Sequence, residues 1–284
     1  MIPMFDKFAS LPSVPFWIDH HAYAGRLLAN GQVPWTDIAA YLSWQRSAAA
    51  LLRPDIITLP VAAFCSAWAA VHPDLPVRMA AKSRLMFALK TLLEDNALRQ
   101  HLLGLASGLR ATFSDKPVIL ALPSPRNWVG MAYRMAHGAI AVCDVGLDEA
   151  DSAAVYIADF LGGFGDIGLD GLLLVEAAEA EPASVEDLVY QPVFNVAAHY
   201  RWDVGLHLPV AESWQGRVSG PNFVIASLML DAPCQGLGLG DEFWVDGVIP
   251  DAPASGFYHL DIKPESDPEQ VLDRLARLRA ATGK

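Results

Sequence analysis

The chain predicts a single α/β barrel of the (β/α)8 type, and three observations carry that expectation. Short apolar runs recur along the 284 residues, each closed by Gly, Pro or a polar residue. Amphipathic stretches lie between them, and no internal repeat or linker interrupts the alternation. Near-continuous apolar runs suit parallel strands covered on both faces, and repeated strand–helix alternation builds a parallel sheet through right-handed crossovers. Six or seven units in one chain favour closing that sheet, and about 250 residues is an ordinary size for such a barrel.

In order, the strand-like runs are Val14–Ile18, Asp55–Pro60, Pro117–Pro123, Gly171–Glu176, Asp203–His207, Asn222–Asp231 and Tyr258–Ile262. Helical patterns fill the gaps. Trp35–Leu52 follows Pro34, with Thr36 as the expected cap. Pro76–Arg110 carries leucines at helical spacing. Glu149–Leu161 is amphipathic, and Ser184–Tyr200 opens on the capping-box pattern Ser184-Val-Glu-Asp187. The last helix starts at Asp267-Pro268, Asp as the cap and Pro in the first turn, with Leu272, Leu275 and Leu278 on one face. The Gly/Pro-rich stretch 232–256 reads as one long loop at the barrel mouth, so residues 1–284 form one domain.

Composition narrows the function. Apolar residues make up 53% and charged residues 18%, which supports a large core and argues against disorder. With 20 Lys+Arg against 32 Asp+Glu, the formal charge is −12 and no basic cluster exists. Nucleic acid and anionic membranes need concentrated cations, so neither is an expected partner. A small molecule is, and the apolar fraction makes a homodimer reasonable. Cys65, Cys143 and Cys234 are scattered and odd in number, with no CxxC pair. Together with an N-terminus lacking a signal-peptide pattern, this leads to a cytoplasmic expectation. Gly236-Leu-Gly-Leu-Gly240 has the wrong spacing for a dinucleotide fingerprint.

In a barrel of this kind the site gathers at the C-terminal ends of the strands, so the residues closing each run are the ones to examine. They are Asp19 and His21; Ser124, Arg126 and Asn127; Glu176; His207; Asp231; and Asp261. Neighbouring side chains on an extended chain point opposite ways, so only one of His20 and His21 should face the mouth, and His21 is the choice. The catalytic set is therefore His207, Glu176, Asp231, Asp261 and His21. A carboxylate beside an imidazole fixes its tautomer and tunes its proton affinity, which gives His207, near Glu176 and Asp231, the acid–base role. Arg26, Arg126, Asn127, Trp244 and Tyr258 form the expected substrate-binding set, with Trp214 as a further wall. His199-Tyr-Arg-Trp202 lies at a strand's N-terminal end and reads as packing.

Phe164-Gly-Asp-Ile-Gly-Leu-Asp-Gly-Leu-Leu-Leu-Val-Glu176, His207, Asp231 and Tyr258-His-Leu-Asp-Ile262 with the helix after it resemble cobalamin-independent methionine synthases. Phe16-Trp-Ile-Asp-His-His-Ala-Tyr-Ala-Gly-Arg26 and Leu122-Pro-Ser-Pro125 look more like the related uroporphyrinogen decarboxylases. The resemblance implies a TIM barrel, and for the transferase branch a zinc site built on His207 and Asp231. The zinc pattern is incomplete: Pro209 stands two after His207 where a ligand cysteine should be, and no cysteine follows Cys234. His207, Asp231, Cys234 and His259 form a candidate replacement set. The porphyrin pattern is broken too, since Leu59–Phe64 carries no acid. The leading expectation is a lyase without metal or other cofactor, decarboxylating or cleaving a carbon–carbon bond in a small or medium carboxylate-bearing substrate, aromatic or not, in the barrel mouth. The alternatives are a methyl- or alkyltransferase with a modified zinc site, and a binding-only barrel.

Overall fold

The structure, a computed structural model, describes residues 13–139, 144–177, 190–209, 220–230, 232–253 and 256–283. Eight parallel strands form one barrel: β1 (Phe16–Asp19), β2 (Ile57–Pro60), β3 (Val118–Pro123), β4 (Gly171–Val175), β5 (Asp203–Leu208), β6 (Phe223–Ala226), β7 (Gln235–Leu239) and β8 (Gly256–Asp261). Seven parallel ladders run around the ring from β2 through β3 and so on to β8 and back to β1. The eighth seam, between β1 and β2, is stitched rather than laddered. Asp55 N–H donates to Phe16 O (2.9 Å), Phe16 N–H donates to Asp55 Oδ2 (2.6 Å), and Trp17 Nε1–H donates to Thr58 Oγ1 (2.8 Å).

The expected long loop at 232–256 is not one loop, because β7 runs through it. Gln235-Gly-Leu-Gly-Leu239 shows no β-branched run, and its two glycines disguise it. Gly236 is needed: a Cβ there would lie 2.6 Å from the Phe257 ring and 2.8 Å from Ile225. Only eight residues, 227–234, join β6 to β7. Gln235 holds that connection, accepting from Leu230 N–H (3.2 Å) and donating to Leu228 O (3.4 Å).

Helices are concentrated in the first half: α1 (His21–Ala29), α2 (Ile38–Leu52), α3 (Val61–Val71), α4 (Asp74–Met79), α5 (Leu85–Leu93), α6 (Asn96–Thr112), α7 (Pro125–His137), α8 (Leu147–Gly162), α9 (Gln191–Tyr200) and α10 (Pro268–Thr282). The leucine pattern over Pro76–Arg110 is broken into three helices. Asp95 interrupts it, capping α6 by accepting from Leu98 N–H and pairing with Arg78. The cap of α2 is Asp37, which accepts from Ala40 N–H at 3.0 Å, and not Thr36. Asp267 caps α10 as expected. The capping box at Ser184–Asp187 lies outside the described residues. Among the described residues no helix is long and apolar enough to cross a membrane.

Packing follows the alternation of side chains along each strand. Outward positions such as Leu120, Leu122, Leu172, Leu174, Val204 and Leu206 join the helices in one large core, while Phe16, Ile18, Tyr258 and Leu260 pack under α10. Inward positions plug the lumen with Trp17, Phe223 and Phe257, supported by Ile119, Leu173, Ile225 and Cys234. Trp17 lies 5.6 Å from each of the two Phe rings, and Gly205 leaves the space that the Phe223 ring fills. The plug closes the barrel floor, so polar inward residues one step further along each strand stand at the mouth.

Candidate functional site

Strand parity decides which rim residues meet. On β1, Trp17 points inward, and so does Asp19 two residues later. On β8, Phe257, His259 and Asp261 share the inward side. Across the ring on β5, His207 takes the same orientation. The register sets Asp19 beside Asp261 and Trp17 beside His259. The His259 ring lies 6.3 Å from Trp17 and 4.9 Å from His207. Four groups, Asp19, Asp261, His207 and His259, therefore share the volume above the aromatic plug. Among the described residues the rings of His207 and His259 make no hydrogen bond.

The electrostatics separate these groups. Enclosure by protein pushes the Asp19 carboxyl up, but the facing His21 ring and the fields of His21, His259 and His20 outweigh it and hold Asp19 well below the usual carboxylate range. Its side chain is nevertheless 53% exposed, as expected for a group standing in an open concavity. Asp261 is pushed up to about 6 by burial and by the neighbouring Asp19 charge, against a pull from Lys263. Two adjacent carboxyls with proton affinities driven apart make an acid and a base available together. Burial lowers His207 to about 4, with Asp19 opposing, and lowers His259 to about 3, helped by His207. Both imidazoles are neutral near pH 7, each offering one N–H and one lone pair.

His20 and His21 do not diverge as an extended pair would. The backbone turns at His20 (φ −128°, ψ 0°) into α1, and the two rings stack at 4.9 Å. His21 is buried beneath Asp19, with Nδ1 3.7 Å from Asp19 Oδ1. His20 turns inward to the protein, Nδ1 facing Ile18 O (3.0 Å) and Nε2 facing the Gln45 amide (3.4 Å).

Glu176 belongs elsewhere, which corrects the expectation that it serves His207. Its backbone N–H continues the β4–β5 ladder to His207 O, but it follows the inward Val175 and so faces out. There its carboxylate accepts from Ser124 Oγ (2.8 Å) and Tyr190 OH (2.7 Å). Burial raises it above the usual range despite those two bonds and the nearby Arg126 charge. The result is a satisfied knot joining the starts of α7 and α9.

The expected substrate-binding residues are engaged in structure. Arg126 Nε donates to Val145 O (2.9 Å), and Asn127 Nδ2 donates to Val175 O (3.1 Å). Arg26 is exposed on α1 and reaches Ser266 O at 3.4 Å. Tyr258 is outward by parity, its hydroxyl donating to Pro250 O at 2.6 Å. Trp244 sits in a π-helical turn, Glu242–Asp246, against the α10 side of the barrel; its carbonyl accepts from Gln270 and Arg274. Asp231, Trp214 and Cys143 lie outside the described residues.

The replacement zinc set also comes apart. Cys234 is in the plug near Asp203, at the strand-start end, its thiol pushed up to about 12 by burial and Asp203. His259 pairs with Gly238, four residues further along β7, which is about 13 Å of strand. Among the described residues no three His, Cys, Asp or Glu side chains are grouped to hold a metal ion.

Sequence reasoning underrated Asp19 and His259. Asp19 was one of the rim residues, but the signal that distinguishes it is its two-residue offset from the plug residue Trp17. His259 has the same relation to Phe257. No protein-family model matches the chain, and no curated protein matches it.

Proposed function

We propose that the protein is a lyase working by general acid–base catalysis at the barrel mouth, cleaving a carbon–carbon bond in a small β-hydroxy carbonyl compound. The single observation supporting this reading is the placement of Asp19 beside Asp261, above two imidazoles free of protein hydrogen bonds among the described residues. The Asp19 carboxylate takes the substrate's hydroxyl proton. The O–H electron pair becomes the new carbonyl as the carbon–carbon bond breaks, and that bond's electrons pass to the enolate. An N–H of neutral His207 or His259 donates to the enolate oxygen, an electrophilic role suited to imidazole rather than imidazolium. Asp261 in its acid form protonates the enolate carbon. Proton transfer from Asp19 to its neighbour then restores both groups.

Decarboxylation of a carboxylate-bearing substrate fits less well. Such a substrate needs a cation; Lys263 is paired with Asp241, while Arg26 and Arg126 each place one donor on a backbone carbonyl, of Ser266 and Val145. Wild-type protein should be incubated with a panel of β-hydroxy aldehydes, β-hydroxy ketones and β-oxo acids, with products followed by mass spectrometry. Cleavage of a hydroxy-carbonyl member, reduced about 100-fold or more in Asp19→Asn and in Asp261→Asn, is the expected result. Release of CO2 from the oxo acids instead would favour decarboxylation. Bound zinc at one per chain, lost in His207→Ala, would favour the transferase. Cleavage that survives Asp19→Asn overturns the mechanism.

A further inference from the structure

Behind Asp19 lies a second polar chain that reaches into the protein, away from the mouth. The His21 ring is clamped flat between His20 (centroids 4.9 Å, 22°) and Trp35 (6.0 Å, 10°). Its Nε2 faces the Tyr41 hydroxyl at 3.3 Å. Tyr41 is fully buried on α2 beside Trp44, and burial raises its phenol far above the usual value, so it stays protonated. The other ring nitrogen, Nδ1, is buried, has no hydrogen-bond partner among the described residues, and has Asp19 Oδ1 at 3.7 Å.

Only one proton arrangement of a neutral ring satisfies this geometry. If Nε2 carried the proton, Tyr41 O–H would have no acceptor among the described residues, and a bare Nδ1 lone pair would face an anionic carboxylate. The first fault vanishes when Tyr41 donates to Nε2, and the second is relieved when Nδ1 carries the hydrogen, which then lies 3.7 Å from the Asp19 carboxylate oxygen, an electrostatic contact and not a hydrogen bond. A buried donor without an acceptor costs free energy, and the partner of one imidazole nitrogen sets the state of the other.

We infer that Tyr41 and His21 are positioning residues for Asp19: the Tyr41 hydroxyl fixes the His21 tautomer, and the resulting Nδ1–H holds the Asp19 carboxylate in place as an anion. The chain runs from the second helix through the first to the end of the first strand, so the catalytic base is oriented from within the core. The catalytic consequence rests on the acid–base reading above; the proton arrangement does not.

Nitrogen-15 NMR of the full-length protein tests the arrangement directly. At pH 7.5 the His21 ring should show a protonated Nδ1 and a bare Nε2 coupled to the Tyr41 hydroxyl proton. A protonated Nε2, or a doubly protonated ring, overturns the inference. Carbon-13 titration of Asp19 gives the second reading, with His20, His207, His259 and Asp261 as the other titrating groups facing it. Asparagine places an N–H close to the position of Nδ1, so Asp19 should stay low in His21→Asn and rise by about one unit or more in His21→Leu. An unchanged Asp19 in His21→Leu overturns the inference. If His21→Leu does not fold, the wild-type spectrum still decides. In any assay that detects cleavage, His21→Leu and Tyr41→Phe should lower kcat with little change in KM, and His21→Asn should restore part of kcat. Loss of cleavage in His21→Leu with an unmoved Asp19 would sink the positioning chain and leave the lyase standing. The expected spectra from a protein that cleaves nothing would do the reverse.

Discussion

Two carboxylate clusters sit at the same end of this barrel, and they are built in opposite ways. Glu176 is buried, accepts from the hydroxyls of Ser124 and Tyr190, and ties the starts of two helices together. Asp19 and Asp261 are exposed at the mouth, stand side by side on neighbouring strands, and face imidazoles with no hydrogen bond to the described protein. The first cluster has satisfied its polar groups, which is what a stabilising element does. The second keeps its polar groups available to something that enters the mouth. A polar residue at a strand's C-terminal end is therefore not by itself part of a site; the side of the sheet that it faces decides.

The contrast can be broken most forcefully with acid. His20, His207 and His259 are lowered from 6.5 to about 4, 4 and 3, chiefly by burial. Between those values the unfolded chain binds protons that the folded chain refuses, so stability falls as pH drops from 6.5 toward 4. Each such imidazole contributes about 1.4 kcal/mol per pH unit within that window. Asp261, raised from 3.8 to about 6, and Glu176, also raised, act in the opposite sense, since their folded forms hold protons more tightly. The net expectation is a thermal midpoint that falls below pH 6.5, with a shallower fall in His259→Gln. A midpoint independent of pH from 6.5 to 4.5 would mean that these rings are not enclosed as described.

Substitution at the two carboxylates sharpens the comparison. Glu176→Ala strands two buried hydroxyls and should cost about 2–3 kcal/mol in urea unfolding. Asp19→Asn, at a half-exposed position, should stay within about 1 kcal/mol while removing the proposed activity. Equal losses would erase the distinction between the knot and the mouth. The smallest expected effect is that of Tyr258→Phe, which removes one hydrogen bond to Pro250 O, about 1 kcal/mol, and leaves turnover unchanged.

Much of the barrel is legible in the chain. Seven of the eight strands coincide with apolar runs, and α10 begins at its Asp-Pro signal. β7 escapes because two of its five residues are glycines, one of which, Gly236, stands where the barrel interior leaves no room for a side chain. The site is only half legible. His207 and Asp261 stand around the mouth with Asp19, and His21 lies buried behind it, whereas Glu176 and Tyr258 differ from the strand residues among them by one step of strand parity. Both faces of these strands are apolar, one against helices and one against the plug, so hydrophobicity does not tell inward from outward. Arg126 and Asn127 have the right position for ligands but each places a donor on a backbone carbonyl.

The sequence by itself determined that parallel strands would line up with polar residues at one end, because continuous apolar runs separated by amphipathic helices have few other ways to bury both faces. Only the tertiary structure decided which of those polar residues meet. Closing the sheet brings the first strand beside the last, and Asp19 beside Asp261, a pairing between the two ends of the chain that no local pattern encodes. The same closure turns one side of every strand toward a lumen too narrow for anything but a plug and a few facing groups.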